Sequence, residues 1–506
     1  MRLSVAFLVL LAWAPTARGQ ESVGLTVLHT NDLHGQLKPL PDGTRARIGH
    51  GRGGFAHLAS MVRAVRKEAQ QPRTYVLLLD AGDLFQGTPL GNETHGDAVI
   101  DAMNTLGYDA GCVGNHELDF GVANLVRLSK RARFPRLAAN MTRLKGDLGS
   151  VKPYVVLAPP QAPCRIALIG LITQSTPEQT SANVRGVLRF ADPAQTARKL
   201  MSEVQADLYI LVTHLGVEDD VRLLREVPEV ALIVGGHSHT ALPRGISEGE
   251  RVRIVQTSGK GRTLGRVDLD LEPGTWKVLR AKARHLPVDP SAAEADAAVN
   301  AVIARHSQSL SEKLARVVGV LAEPLRRSGR TSSSSAGNFI ADAMRNACRA
   351  EVAFMNKGGI RCDLPAGNVT GEDLYRMSPF DNWLVVLELR GKELHSLAEQ
   401  SLNGRLPPLE WSGMDVDAER DGKRYRVVAV RVGTEPLDAE RTYRVATHSF
   451  LARGGDGYAQ FTRGKTLPAA RVLLRDVLQA ELARASPLTP PSEPRLRVLE
   501  PTGAGG

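Results

Sequence analysis

Between 25 and about 286 the chain alternates short apolar runs with polar loops and stretches of helical spacing, the rhythm of layered α/β or α+β structure. The runs at 25–28, 75–79, 165–169, 208–212 and 230–234 have the length and apolarity of strands in a buried sheet, and polar loops follow them. Loops at strand ends are where a rigid sheet can present ligands. From about 291 to 320 an Ala-rich, charged stretch with apolar residues at helical spacing predicts one helix that joins two domains. A second region follows: a serine run at 332–335, then Gly337-Asn338 leading into a helical pattern at 339–349. No internal repeat relates the halves. The predicted organisation is a domain over 24–286, a linking helix over 287–320, a second domain over 321–484 and, rich in Pro and Gly, a loose tail over 485–506.

The first residues stand apart from this organisation. Arg2, the apolar run at 5–13 and Ala17-Arg18-Gly19 read as a secretory signal over 1–19, cleaved after Gly19, because the run falls well short of the roughly 20 residues that span a bilayer. No later segment is long and apolar enough to span, and no cysteine follows the cleavage site to carry a lipid. A periplasmic or secreted protein without a transmembrane segment is expected. The 506 residues, 42% hydrophobic, exceed what one core usually organises, which agrees with two domains. The formal charge of +10 falls by two when Arg2 and Arg18 leave and still favours anionic partners. A nucleic acid polymer is not expected among them, since Lys and Arg are scattered rather than striped and no recognised binding motif occurs. Four cysteines are too few for a disulfide framework; Cys112 reads as core, and Cys348 and Cys362 are the two that could pair.

Five segments between 29 and 240 place metal-ligand side chains just after an apolar run. Asp32 and His34 stand two residues apart, so an extended backbone would aim both the same way, and His237 and His239 repeat that spacing. Asp83 follows a Leu-rich run, Asn115 and His116 follow another with Asp119 just beyond, and His214 follows a fourth. Any one of these residues alone is more often solvated or packed. Together they form a mixed oxygen and nitrogen donor set suited to Zn, Mn, Fe or Co, and a carboxylate shared by two ions holds them about 3.5 to 4 Å apart, the arrangement of phosphoester hydrolysis. Gly82, Gly114, Gly235 and Gly236 read as turn and close-approach positions, and Glu117 is given no ligand role.

In these blocks the sequence resembles the 5'-nucleotidase family of calcineurin-like metallophosphoesterases. The blocks are His29-Thr30-Asn31-Asp32-Leu33-His34-Gly35, Gly82-Asp83-Leu84-Phe85-Gln86-Gly87-Thr88, Gly114-Asn115-His116-Glu117-Leu118-Asp119-Phe120-Gly121, Thr213-His214 and Gly236-His237-Ser238-His239-Thr240. The resemblance implies a four-layer α/β/β/α metallophosphatase domain followed by a smaller α/β nucleotide-binding domain. It implies two divalent metal ions, Zn or Mn, one held by Asp32, His34, Asp83 and His239 and the other by Asp83, Asn115, His214 and His237, with Asp83 as the bridge. His116 and Asp119 match the family's catalytic pair, in which the imidazole stabilises the phosphate in the transition state and Asp119 orients it.

The C-terminal half resembles the same family through Gly337-Asn338-Phe339-Ile340-Ala341-Asp342-Ala343, Asn356-Lys357-Gly358-Gly359-Ile360-Arg361, Pro379-Phe380 and Gly454-Gly455-Asp456-Gly457-Tyr458. By that match Phe380 and Phe450 sandwich a base, Asp456 binds ribose hydroxyls, and Asn356 and Arg361 contact the nucleotide. Ring faces carry little of the hydrogen-bond code that separates one base from another, so broad base tolerance is expected. The chain departs from the family at Lys357 and Asp381, where Gly is usual; Lys357 could add a phosphate contact and Arg330 another anion contact. Relatives rotate their domains, which implies a hinge near the linking helix. The activity implied is hydrolysis of nucleoside 5'-phosphates to nucleoside and phosphate. The alternatives are a UDP-sugar hydrolase, a 2',3'-cyclic-nucleotide phosphodiesterase with 3'-nucleotidase action, the sulfur-oxidising branch acting on a thiosulfonate conjugate, and a non-catalytic surface or binding protein. Sequons at Asn92, Asn140 and Asn368 matter only where the chain is glycosylated.

Overall fold

In the computed structural model the described residues are 22–40, 52–69, 74–159, 164–180, 184, 186–292, 294–308, 310–327, 333–404, 407–422, 424–468 and 472–499. The signal-like segment, Arg330 and residues 500–506 lie outside them. The N-terminal domain is built on one long sheet. Val23–Thr30 and Thr74–Asp80 run parallel in one half, and Ile166–Ile172, Leu208–His214 and Leu232–Val234 run parallel in the other. The antiparallel strands Thr263–Leu271 and Val278–Pro287 lie between the halves.

Side-chain alternation makes this sheet double over on itself. On Val23–Thr30, Leu25 and Val27 enter one core and Leu28 another; on Leu208–His214, Ile210 and Val212 enter the same shared core while Leu211 enters a third. The shared core, where Leu77 and Leu79 are joined by Leu168 and Val234, is therefore sealed between two β layers. Phe55–Glu68 and Asp97–Leu106 cover one outer face, and Pro193–Glu203 and Val217–Glu226 the other. The result is α/β/β/α. Strands buried on both faces read as unbroken apolar runs, which is why they stood out in the sequence.

The linking stretch is not one helix. It forms Ala297–Ser307, capped by Asp296, which accepts from the Val299 N–H, then Ser311–Ala315, then a strand, Val317–Leu321, that pairs with Gly367–Thr370. Val299 and Ile303 bury against the N-terminal core, so the first of these helices is docked rather than free-standing.

The C-terminal domain is a smaller α/β unit. Its sheet runs in the order Leu409–Ser412, Val352–Asn356, Thr442–His448, Leu384–Arg390, Lys465–Leu467. Ala353 and Met355 face the helices Ser335–Cys348 and Leu474–Arg484, while Val352 and Phe354 face Gly391–Asn403. The segment expected as a loose tail is, as far as 499, part of this domain: Leu496–Leu499 pairs in parallel with Met414–Asp421, and the Leu488 N–H donates to the Val320 carbonyl. Leu488 and Leu496 are buried, so its prolines mark bends in a packed strap. All four cysteines are free thiols, and Cys348 and Cys362 do not pair. Among the described residues no helix is long and apolar enough to cross a membrane. Asn92 and Asn140 are buried, whereas Asn368 is exposed.

Candidate metal centre and substrate cleft

The strand ends converge, although not by the backbone geometry their spacing predicted. Asp32 and His34 have φ of 50° and 47°, and His237 and His239 have φ of 79° and 51°. Their side chains meet through left-handed turns, which non-glycine residues rarely adopt and which persist only where the surroundings enforce them. Here the enforcement is a ladder between loops: the N–H of Asp32 donates to Gly82 O at 2.9 Å, that of His34 to Asp83 O at 3.0 Å, and that of Gly35 to Leu84 O at 2.7 Å. Gly82 (φ 93°) is required because a Cβ there would meet Gly114 N at 2.8 Å and His214 Nδ1 at 2.9 Å.

All seven expected ligands come together. The donor atoms of Asp32, His34 and His239 lie within 4.8 Å of one another, as do those of Asp83, His214 and His237. Asn115 Oδ1 is 3.2 Å from His214 Nε2, and Asp83 Oδ2 lies 3.1 Å from His214 Nε2 and 4.0 Å from His34 Nε2, between the two groups. The donor chemistry fits cations. His34 and His214 each donate Nδ1–H to a backbone carbonyl, Gln86 O and Ala81 O, at 2.7 Å, which fixes the tautomer and leaves an Nε2 lone pair facing inward. There His34 Nε2 meets His239 Nε2 at 3.0 Å, and His214 Nε2 meets two oxygen acceptors. Such groups repel unless positive charge sits among them. With no cation among them a proton takes that place: burial pulls the His214 imidazole down, but the neighbouring Asp83 carboxylate outweighs it and pushes the pKa up to about 10, so Nε2 then carries a hydrogen toward Asp83 instead of a lone pair. Burial lowers His237 to about 4, helped by His214.

His116 adjoins this group: its Nε2 is 4.0 Å from Asp83 Oδ2, and its Nδ1 donates to Asp119 Oδ2 at 2.7 Å. Thr180 Oγ1 donates to the other Asp119 oxygen at 3.0 Å, so the carboxylate is held from both sides. Burial alone would lower the His116 pKa; Asp119 and Asp83 outweigh it, and the imidazole is raised above its ordinary value. Glu117, read as no ligand, is an internal staple. Its carboxylate accepts the backbone N–H groups of Asp83 at 3.0 Å, Leu84 at 2.7 Å and Gly114 at 2.5 Å, and it pairs with buried Arg136 at 3.4 Å.

The two domains enclose a cavity of about 500 Å³. Asp83, Asn115, His116, His237 and His239 line it from the N-terminal domain, and Asn356, Arg361, Phe380, Phe450 and Asp456 line it from the other. Phe380 lies 5.7 Å from the His116 ring, with Arg361 Cζ 5.6 Å from the Phe380 centroid. Asn356 Nδ2 donates to Asp456 Oδ2 at 2.7 Å. Burial pushes the Asp456 carboxyl up to about 6, against the pull of Asn356, Arg361 and His116. Sequence reasoning missed Gln179, Lys260, Arg327 and Asn382 on the same walls, and it missed His448, whose Nε2 donates to Asn356 Oδ1 at 3.0 Å. His448 ends Thr442–His448, so the rule that found His214 at the end of its strand would have found it too.

Two departures are explained by their partners. Lys357 does not line the cavity; its Nζ pairs with buried Glu410 at 3.3 Å, since an uncompensated carboxylate there would be costly, so the expected phosphate contact is not made. Asp381 pairs with Arg475 Nη2 at 2.5 Å, and Arg475 also donates to Ser378 O at 3.1 Å, which pins the loop carrying Phe380 to the helix Leu474–Arg484.

Residues 25–241 match the calcineurin-like phosphoesterase family and residues 315–463 the 5'-nucleotidase C-terminal domain. The chain is 31% identical over 494 residues to a snake venom 5'-nucleotidase of Naja atra, covering 86% of this chain and 91% of that protein. It is 28% identical over 534 residues to protein UshA of Escherichia coli (strain K12), covering 95% and 93%. The crystal structure of a 5'-nucleotidase precursor from Thermus thermophilus superposes with a TM-score of 0.82 at 29% identity, covering 94% of this chain and 99% of that one.

Proposed function

We propose that this chain, which belongs to the 5'-nucleotidase family of calcineurin-like phosphoesterases, is an exported hydrolase that splits nucleoside 5'-phosphates into nucleoside and inorganic phosphate. The observation that carries the reading is one cavity with two unlike walls. Asp83, His116, His237 and His239 come from the N-terminal domain, and Phe450, Asn356 and Asp456 from the C-terminal one, so a fitting molecule joins a metal-seeking anion to a flat ring and hydroxyls. A nucleotide has that form.

In this reading Asp32, His34, Asp83 and His239 hold one divalent ion and Asp83, Asn115, His214 and His237 a second, with Zn or Mn suited to the donors. When bound, such ions supply Lewis acidity toward the phosphoryl oxygens and a water of lowered pKa. The chain does the rest. His116, held through Nδ1 by Asp119, turns Nε2 toward the phosphate and donates to an oxygen as charge builds there. The P–O5' bond breaks, water delivers its oxygen to phosphorus, and the ribose oxygen leaves with a proton. Arg361 offsets phosphate charge, Asp456 accepts from ribose hydroxyls, and Phe380 and Phe450 stack on the base.

The test is hydrolysis of AMP, 3'-AMP, 2',3'-cyclic AMP and UDP-glucose before and after chelation, with metal add-back. AMP should be turned over fastest, and only with metal. A higher rate on UDP-glucose or the cyclic ester would replace 5'-nucleotides as the substrate, and inactivity on all four with metal restored would defeat the reading.

A further inference from the structure

Four cations gather beside Asp32 and His34 with no carboxylate in ion-pair contact. Lys260, Arg327 and Arg361 line the main cavity, and Lys260, Arg361 and Arg376 line a recess of about 20 Å³ shared with His34 and Gly87. Among the described residues none of the four has an acidic group within ion-pair distance; Arg327 is exposed, but Lys260, Arg361 and Arg376 are half-buried, and like charges so placed are costly unless an anion completes them. Arg361 reaches the cavity from the C-terminal domain. Lys260 reaches it from the metal-binding domain, on a loop, Gly259-Lys260-Gly261, tied to the metal ligands themselves. The Lys260 N–H donates to Asp32 O at 2.7 Å, and a Cβ at Gly259 would meet Asp32 at 3.0 Å and the His239 ring at 3.6 Å, so only glycine lets the loop run this close to them. Lys260 also holds φ at 57°, a conformation unfavourable to a side chain with a Cβ, so its presence on this wall is enforced by the fold.

We propose that Lys260 is a specificity-determining residue that pairs with the second negative charge of a phosphate monoester, so that the site favours monoesters over diesters. The inference rests on the phosphohydrolase reading above. Near neutral pH a monoester carries close to two negative charges on three terminal oxygens, whereas a diester carries one on two. With Arg361 answering the phosphate from one domain, a cation on the other wall gains a partner only when a further charged oxygen points toward it. In a diester that oxygen bears a carbon substituent, which cannot accept a charge-assisted hydrogen bond and crowds the ammonium.

The experiment compares wild type, Lys260→Met and Lys260→Arg on AMP and p-nitrophenyl phosphate against bis(p-nitrophenyl) phosphate, with inhibition by inorganic phosphate and bound-metal stoichiometry measured alongside. Lys260→Met should lose roughly 10- to 100-fold in kcat/KM on the monoesters and a similar factor in phosphate inhibition, while the diester rate changes by less than about 3-fold. Lys260→Arg should recover most of the loss, and metal content should stay unchanged. An equal loss on monoesters and diesters, no loss on either, or a fall in bound metal would overturn the inference. Wild-type activity on AMP is read first: its absence sinks the hydrolase reading, whereas its presence with an unaltered monoester-to-diester ratio in Lys260→Met sinks only this one.

Discussion

The side-chain amide of Asn92 donates to the carbonyl oxygen of Pro379 at 2.7 Å, crossing from the metal-binding domain to the loop that carries Phe380. Asn92 is 3% exposed, and its Oδ1 accepts the Gly87 N–H at 3.1 Å, so one amide ties the Asp83 block to the Phe380 wall of the cavity. The same burial leaves no room for a glycan at this sequon.

Asn92→Ala should loosen that tie. The lost hydrogen bond is worth about 0.5–1.5 kcal/mol, so KM for AMP is expected to rise roughly 2- to 10-fold with little change in kcat. Steady-state kinetics on the variant checks it; an unchanged KM would show that the Phe380 loop is held by Arg475 and Asp381 alone.

His116 and Asp119 should separate in magnitude. His116→Ala is expected to lower kcat by about 10²- to 10⁴-fold with KM near its original value, because the imidazole acts on charge that develops during the reaction. Asp119→Asn keeps the hydrogen-bonding shape of the pair and should cost less, on the order of 10- to 100-fold. Equal losses in the two variants would contradict a merely orienting Asp119.

If Asp456 binds ribose as proposed, nucleoside binding should depend on pH. Its folded pKa is raised to about 6 by burial, and the ionised form is the acceptor that ribose hydroxyls need, with Oδ2 already taken by Asn356. Affinity for adenosine, which has no phosphate to titrate, should therefore strengthen as pH rises through about 6 and level off above it. In Asp456→Asn the inhibition constant of adenosine should be flat across that window; a persisting step would assign the titration to another group.

Glu117→Gln should destabilise the fold rather than the chemistry alone. The amide NH₂ would face at least one of three backbone donors now served by the carboxylate, and Arg136, like Glu117 about 2% exposed in its side chain, would lose its charge partner. Breaking such a pair costs about 3–5 kcal/mol. Urea unfolding of the metal-free protein measures it directly, and a loss below about 1 kcal/mol would mean that Asp80 or water compensates Arg136.

What the linear chain determined is local. Apolar runs buried on both faces announced the strands, and because a strand end is a fixed point on a rigid sheet, Asp32, Asp83, Asn115, His214 and His237 could be named from their places after those runs. What only tertiary structure decided is how those points face one another. The spacing of Asp32 and His34 suggested an extended backbone, yet both sit in left-handed turns imposed by the loop at Gly82, a partner fifty residues away in sequence that no local propensity encodes. Lys260, His448 and Glu117 stayed unassigned for the same reason. Each acquires its role from groups that packing brings beside it, and the strap at Leu496–Leu499 became a strand because Met414–Asp421 offered it an edge.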